Sequence, residues 1–259
     1  MSSSIGVLAA GNVGLEVVKF LDQSEEKLSC VVFDSKDTSG CSEKIKRVSS
    51  LITSHVLESN VLYDENTLDL LRSLDIDILI LAWWPHIIKE PLIDVPRIGT
   101  LNLHPSYLPH NRGKHYNFWA IVEEAPFGVS LHFIEKSIDS GDIAFQSRIS
   151  TSWEDTGETL YRKAQSAILA LFKESFPTIK QKSIPRRPQD LEQGSFHWGK
   201  ELEPASEIIL DKEYTGRQLL NLLRARTFSP HPGCRFTDNG EIFEVRVQIT
   251  NITDASEEA

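Results

Sequence analysis

Residues 99–113 read GTLNLHPSYLPHNRG, and the reading of the whole chain turns on this stretch. The run from Gly99 to His104 has the texture of a strand, and Pro105, Pro109 and Gly113 then break it into a turning loop. Side chains alternate across a strand, so Leu101 and Leu103 share one face while Asn102 and His104 share the other. A strand covered on both faces carries aliphatic residues at both sets of positions. An amide and an imidazole placed there need partners or a chemical task.

Upstream, IGVLAA (5–10), LSCVVFD (28–34), NVLYD (60–64) and DILILAW (77–83) are further strand candidates, nearly continuous in apolar residues. Helical spacing lies between them, in VGLEVVKFLDQ after the first and NTLDLLRSL before the fourth. Strands alternating with helices predict an α/β fold, a Rossmann-like and mostly parallel sheet with flanking helices. Open sheets of this kind take ligands at the carboxyl ends of their strands, where Asn102 and His104 fall.

Downstream come two strand candidates, FGVSLHFI (127–134) and DIAFQSRI (142–149), joined by EKSIDSG. Asp155 then opens the clearest helix, with Glu158 as the second half of a capping box and Leu160, Ala164, Ile168 and Leu171 on one face. The polar, proline-bearing KSIPRRPQDLEQGSFHWGK reads as a linker. The expected division is a main domain over 1–182, a linker over 183–204 and a small C-terminal α+β unit over 205–259. That unit holds a helix near TGRQLLNLLRAR, a turn FSPHPG and a strand EIFEVRVQI with one apolar face, fit for its own core or a dimer seam; the acidic DASEEA reads as a frayed end.

The bulk composition narrows the function classes. At 259 residues, with 40% hydrophobic and 25% charged residues, the chain has the balance of a soluble globular protein. A net charge of −10 disfavours broad contact with a phosphate backbone, so no nucleic-acid partner is expected. ILILAWWP is far too short for a membrane span, and no membrane partner is expected either. The three cysteines lack a C-x-x-C pair, which predicts no disulfide framework and no zinc site and fits a reducing cytoplasm. The opening residues have no basic stretch ahead of an apolar one, so they read as no signal peptide, and a cytoplasmic location is expected.

A second signal competes with the first. Ala9-Ala10-Gly11-Asn12-Val13-Gly14 follows a strand and opens a helix, and Asp34 ends the next strand where the ribose-binding acid of a dinucleotide fold would sit. Such glycines also let backbone N–H groups approach any phosphate, or simply let a helix pack on the sheet. An NAD-binding Rossmann protein, another nucleotide-phosphate site and plain packing all remain open for this turn.

The first signal carries a family resemblance. NLHPSYLP (102–109), with IDSGD (138–142) further on, resembles the N10-formyltetrahydrofolate-dependent formyltransferases, and the similarity extends over most of residues 1–180. The resemblance implies a catalytic set of Asn102, His104 and Asp139. Asn102 would donate to the carbonyl oxygen as charge develops there. His104 would serve the same oxygen or take the proton of the attacking amine, and Asp139 would orient His104. It also implies that the folate co-substrate lies along ILAWWPHII, at Trp84, His86, Ile87 and Ile88, and along Glu135, Lys136 and Asp139. Trp83 and Trp84 read equally as core, and His132 either borders the site or is a bonded core histidine. No metal is required, and no metal-spaced cluster is legible among the eight histidines.

Within the family, PHNRGKHYNFWAI (109–121) looks like the nucleotide-sugar branch, where RGK-x-x-NFW is common. Methionyl-tRNA formyltransferases differ in this loop, and glycinamide ribonucleotide enzymes carry a different glycine turn. LLNLLRARTFSPHPGCRF resembles the start of the domain appended in the tRNA and sugar branches, although it is shorter than both. The implied acceptor is a nucleotide-linked amino-deoxy sugar, a dTDP-4-amino-4,6-dideoxyhexose, feeding O-antigen or related lipopolysaccharide glycans. Arg112, Gly113 and Lys114 would meet its diphosphate and Asn12 its nucleotide; otherwise the two cations are a solvated patch. Similarity to small sugar formyltransferases implies a homodimer. A formyltetrahydrofolate hydrolase would place the same three residues around water.

Overall fold

The computed structural model describes residues 4–24 and 28–253, so the expected frayed end at 254–259 lies outside the described residues. Its strands are β1 (Ile5–Ala9), β2 (Cys30–Phe33), β3 (Val56–Glu58), β4 (Ile78–Ala82), β5 (Gly99–His104), β6 (Arg112–Gly113), β7 (Gly128–Phe133), β8 (Ile143–Arg148), β9 (Phe196–His197), β10 (Cys234–Asp238) and β11 (Glu241–Val245). Its helices are α1 (Gly11–Gln23), α2 (Cys41–Ile52), α3 (Glu65–Ser73), α4 (Glu90–Ile93), α5 (Tyr116–Val122), α6 (Gly157–Lys180), α7 (Leu202–Ala205) and α8 (Gly216–Arg226). None of the helices is long and apolar enough to cross a membrane.

Seven strands form one sheet in the order β3-β2-β1-β4-β5-β7-β8. The pairs β1–β2, β2–β3, β1–β4 and β4–β5 are parallel, and β5–β7 is antiparallel. The sheet is therefore Rossmann-like and mostly parallel, and its sense changes at the strand that carries Asn102 and His104. The central strands β1 and β4 are buried along their whole length, which explains why they read as unbroken apolar runs.

The structure departs from the sequence expectations at several points. Residues 60–64 are not a strand: β3 ends at Glu58, and a single 3₁₀ turn over Ser59–Val61 leads into α3. Leu62 still fills the core from that turn, which is why the short run looked like a strand. The helix α2 was not anticipated. Two of its core-facing positions are Ser42 and Ser49, beside Ile45, so its apolar period is faint. The cap of α6 also differs. Thr156 and Thr159 exchange the capping hydrogen bonds, each backbone N–H donating to the other's hydroxyl at 2.9 and 3.3 Å. Asp155 instead accepts from Ser152 and Lys163, and Glu158 pairs with Arg162. The apolar face of α6 is as expected, with Leu160, Ala164, Ile168 and Leu171 all buried.

Two compact units make up the chain. The first comprises the residues up to His104, Ser130–Gln146 and Ile168–Gln189; the second comprises Pro105–Val129, Ser147–Ala167 and Asp190 onward. In the first, α1 lies against α2, and Phe20 meets Phe172 and Phe176 edge to face. In the second, α5 packs on α8, β6 pairs with β9, and β10 and β11 form a hairpin. The stretch read as a linker thus contains β9, and Arg187 within it bridges to Ile143. β11 stops at Val245, short of the expected end, but the alternation persists to Ile249. On the hairpin Phe236 stacks on Phe243 at 5.1 Å, and Ile242 is 71% exposed.

Candidate active site

The antiparallel register of β5 and β7 sets Asn102 opposite His132 and His104 opposite Ser130. One face of the strand pair therefore presents an amide and two imidazoles at the edge of the parallel sheet. The loop after β7 supplies a carboxylate. Asp139 sits in the left-handed region at φ 51°, a conformation that Asp tolerates better than most side chains. A Cβ on Gly141 would collide with the Phe133 carbonyl, so glycine is required for this loop to close onto β7. The Gln189 side-chain amide donates to the carbonyl oxygens of Asp139 and Gly141, at 2.9 and 2.6 Å, and clamps the turn.

Within the cluster, Asp139 Oδ1 lies 3.6 Å from His104 Nδ1 and 3.6 Å from His132 Nε2. The two imidazole rings are 5.6 Å apart and perpendicular. His104 is 5% exposed and His132 fully buried. His132 Nδ1 is 2.8 Å from the Phe133 carbonyl oxygen, which only accepts. The neutral ring thus carries its proton on Nδ1 and a lone pair on Nε2, which accepts from Asn102 Nδ2 at 3.2 Å. The fold brings together the three residues singled out in the sequence and adds His132 as the group that holds the Asn102 amide.

The segment 83–88 leaves the carboxyl end of β4, with Trp83 at φ 60°, a strained position for a bulky residue. Trp84 packs against the core cluster that includes Ile88, and its Nε1 is buried without a hydrogen-bond partner among the described residues. Its ring meets His86 edge-on at 5.5 Å, and Ile87 is 69% exposed. Lys136, from the loop that bears Asp139, pairs with Glu90 at 2.7 Å just beyond this segment, while Glu135 is exposed. The two stretches expected to hold folate are therefore neighbours.

The glycine turn has a packing role. A Cβ on Gly14 would lie 2.9 Å from the Ala9 backbone and 3.0 Å from the Ala82 carbonyl oxygen, so this glycine lets α1 sit on β1 and β4. Asp34 is 6% exposed and accepts from His86 Nε2 at 3.0 Å, the Lys36 amide at 3.1 Å and Ser59 Oγ at 3.2 Å. Burial alone would raise its carboxyl, but His86, the Lys36 amide and Ser59 outweigh that and hold it below the ordinary value. The acid that looked like a ribose ligand is engaged by the 83–88 segment. Asn12 is exposed in the first turn of α1.

The second unit holds the remaining candidates. Arg112 and Lys114 flank Gly113 on and beside β6, and their amides donate to the Ser195 and His197 carbonyls at 3.0 Å each. Gly113 adopts φ 91° and its Cβ would strike the His197 carbonyl, so only glycine permits this pairing. Asn111 is buried and bonded to Glu123 and Ser195, a structural role. Lys114 is exposed, and Arg112 lies over the Phe196 ring. Nearby in this unit is a cavity of about 410 Å³ whose lining includes His115, Tyr161, Arg226, Phe228 and His231. Burial, then Arg226 and Lys114, keep the His115 imidazole below its ordinary value.

A Rossmann-like sheet that reverses sense at a strand bearing an amide and an imidazole, with a carboxylate 3.6 Å from that imidazole, has the groups that acyl transfer uses. The family description "Formyl transferase" matches residues 7–174, and "N-formyltransferase dimerization C-terminal domain" matches residues 201–251. The chain belongs to the formyl transferase family. Among solved structures, it resembles a 4-N formyltransferase from Francisella tularensis at 20% identity and TM-score 0.80, covering 96% of this chain and 98% of that one. The formyltransferase PseJ from Anoxybacillus kamchatkensis, in complex with UDP-4,6-dideoxy-4-formamido-L-AltNAc and tetrahydrofolate, is 26% identical at TM-score 0.57, with coverage of 78% and 89%. An N-formyltransferase from Helicobacter canadensis, in complex with folinic acid and dTDP-3-aminofucose, is 18% identical at TM-score 0.71, with coverage of 92% and 85%.

Proposed function

We propose that this formyltransferase moves a formyl group from N10-formyltetrahydrofolate to the amine of a nucleotide-linked amino-deoxy sugar. The observation that carries the reading is the convergence of Asn102, His104 and Asp139 at the edge of the parallel sheet, with His132 holding the amide in place. Bound folate supplies the activated formyl carbon. Asn102 Nδ2 has two hydrogens; one goes to His132 and the second serves the carbonyl oxygen where charge develops. Asp139, on the Nδ1 side of His104, favours a proton there and a lone pair at Nε2, the form of a general base for the attacking amine. The amine nitrogen gains the bond to the formyl carbon and loses a proton, while the bond to N10 breaks and N10 takes up a proton. The indole N–H of Trp84, buried without a partner among the described residues, and the exposed Ile87 fit a flat, polar-edged ring such as a pterin.

Support for the acceptor comes from two of the relatives above, whose complexes hold a UDP-linked 4-formamido sugar and dTDP-3-aminofucose. The aromatic and cationic lining of the second unit's cavity, with Tyr161, Phe228, Arg226 and His231, suits a nucleoside diphosphate. The family resemblance assigns Arg112, Gly113 and Lys114 to the diphosphate and Asn12 to the nucleotide. The finer assignment is a dTDP-4-amino-4,6-dideoxyhexose whose product enters O-antigen or a related surface glycan, made in the cytoplasm by a homodimer. The deciding experiment incubates the protein with N10-formyltetrahydrofolate and a panel of amino-sugar nucleotides while following tetrahydrofolate release. Release that depends on one sugar nucleotide is the expected result. Release without any amine would make the protein a hydrolase, and release only with an aminoacylated tRNA or glycinamide ribonucleotide would overturn the acceptor.

A further inference from the structure

Among the described residues, His104, His132 and Asp139 offer donor atoms that all lie within 4.8 Å of one another. The two distances to Asp139 Oδ1 are 3.6 Å each. Donors around a tetrahedral zinc ion at 2.0–2.1 Å stand about 3.4 Å apart. The two carboxylate–imidazole pairs therefore need to close by only tenths of an ångström, while the two imidazole nitrogens, within 4.8 Å of one another, must turn together to about 3.4 Å.

The environment of His132 matches that use. Its Nδ1–H donates to the Phe133 carbonyl, the outer contact that fixes the tautomer and orientation of a metal-bound histidine. The lone pair on Nε2 faces the cluster. Two imidazoles and one carboxylate, mostly buried, suit a borderline transition cation rather than Mg²⁺ or Ca²⁺, which take oxygen donors and keep waters.

We propose that His104 Nδ1, His132 Nε2 and Asp139 Oδ1 form a site for a zinc-class divalent cation, and that its occupancy silences the enzyme. Two groups would have to change their roles. Asn102 loses its acceptor when the cation takes the Nε2 lone pair of His132. His104 must place its proton on Nε2 to bind a cation through Nδ1, which is the opposite tautomer from that of the general base. Metal binding and proton abstraction by His104 are thus mutually exclusive. The silencing rests on the formyl-transfer reading above; the binding does not.

The test uses the chelator-treated full chain with Zn²⁺ in a calorimetric titration and Co²⁺ in a visible-absorption titration, both without folate. One ion per chain is expected, with the strong visible bands of four- or five-coordinate Co²⁺ and no response to Mg²⁺. His132→Ala and Asp139→Asn should each weaken binding by more than about tenfold. Asn102→Ala should bind at least as tightly as the wild type, because it removes the competitor for His132 Nε2. Asp139 lies in a loop, so Asp139→Asn keeps the test valid if His132→Ala fails to fold. Unchanged Co²⁺ bands in a folded Asp139→Asn protein, loss of binding in Asn102→Ala, or no ion bound to the wild type would overturn the site. If the protein transfers formyl groups, Zn²⁺ added at one equivalent should suppress turnover and a chelator should restore it; continued turnover with the ion bound would overturn the silencing. A protein that binds the ion but transfers no formyl group refutes the proposed activity and leaves the metal site standing.

Discussion

Asn102 and His132 face each other across β5 and β7, the amide nitrogen 3.2 Å from an imidazole nitrogen whose lone pair is committed by the other end of the ring. This single contact determines which end of the Asn102 amide is the nitrogen, and in the proposed reaction that nitrogen would donate toward the substrate. Asn102→Ala should lower kcat by about 10²–10³ with a small change in KM, since the interaction grows only as charge develops. Steady-state kinetics on the best acceptor checks this, and wild-type kcat in the variant would remove Asn102 from the chemistry.

In the proposed reaction Asp139 would act through His104 and His132. Asp139→Asn keeps the volume and removes the charge beside His104 and His132. The expected result is a fall in kcat of about 10² or more, with melting temperature within a few degrees of the wild type. A matching loss of stability would mean that the residue is structural.

The glycine turn should prove to be a packing device. Gly14→Ala pushes a methyl into the Ala9 backbone and the Ala82 carbonyl, and should cost about 1–3 kcal/mol by chemical denaturation. NAD⁺ at millimolar concentration should leave the melting temperature unchanged, because Asp34 is already engaged by His86, Lys36 and Ser59. A folate analogue should raise it.

Acid should destabilise the first unit through Asp77. Burial would raise this carboxyl, but Lys182, the Ser4 amide and Arg97 outweigh burial and hold it below its ordinary value. A depressed folded-state pKa means stabilisation that is complete above the ordinary carboxylate range. It is lost as pH falls through that range and on to the folded value. Asp77→Asn should therefore cost about 1–3 kcal/mol at pH 7 and progressively less toward pH 3. Melting curves of the two proteins across that range test the convergence; a gap that does not narrow would reject the assignment.

The exposed Ile242 and Phe243 on the C-terminal hairpin, within the segment that matches a dimerization domain, point to a self-association face. Ile242→Glu should shift sedimentation toward the monomer. A wild-type protein that already sediments as a monomer would reject the homodimer.

Much of this was legible in the residues. β5 was found at its observed bounds because alternation marks its faces and Pro105 marks its end. Asn102 and His104 stood out because polar side chains are costly on such a strand. The loop SIDSGDI offered two carboxylates, Asp139 and Asp142, and only family resemblance chose Asp139, since its approach depends on a left-handed turn and the closure of Gly141 against Phe133, and neither has a local signature. The antiparallel register that pairs His132 with Asn102 is likewise a property of two strands. Serines at core positions of α2 blurred its period, and Asp34 misled because its position matches a ribose ligand while its partner, His86, lies 52 residues away.

The tie between β6 and β9 has a consequence for the order of events during synthesis. Asn111 bonds to Ser195 across 84 residues, and Gly113 is shaped to admit the backbone of His197. As the chain emerges from the ribosome, the NRGK loop must wait for that later strand before it can take its final shape. A nascent chain halted short of Ser195 would hold the NRGK loop in an unfinished shape.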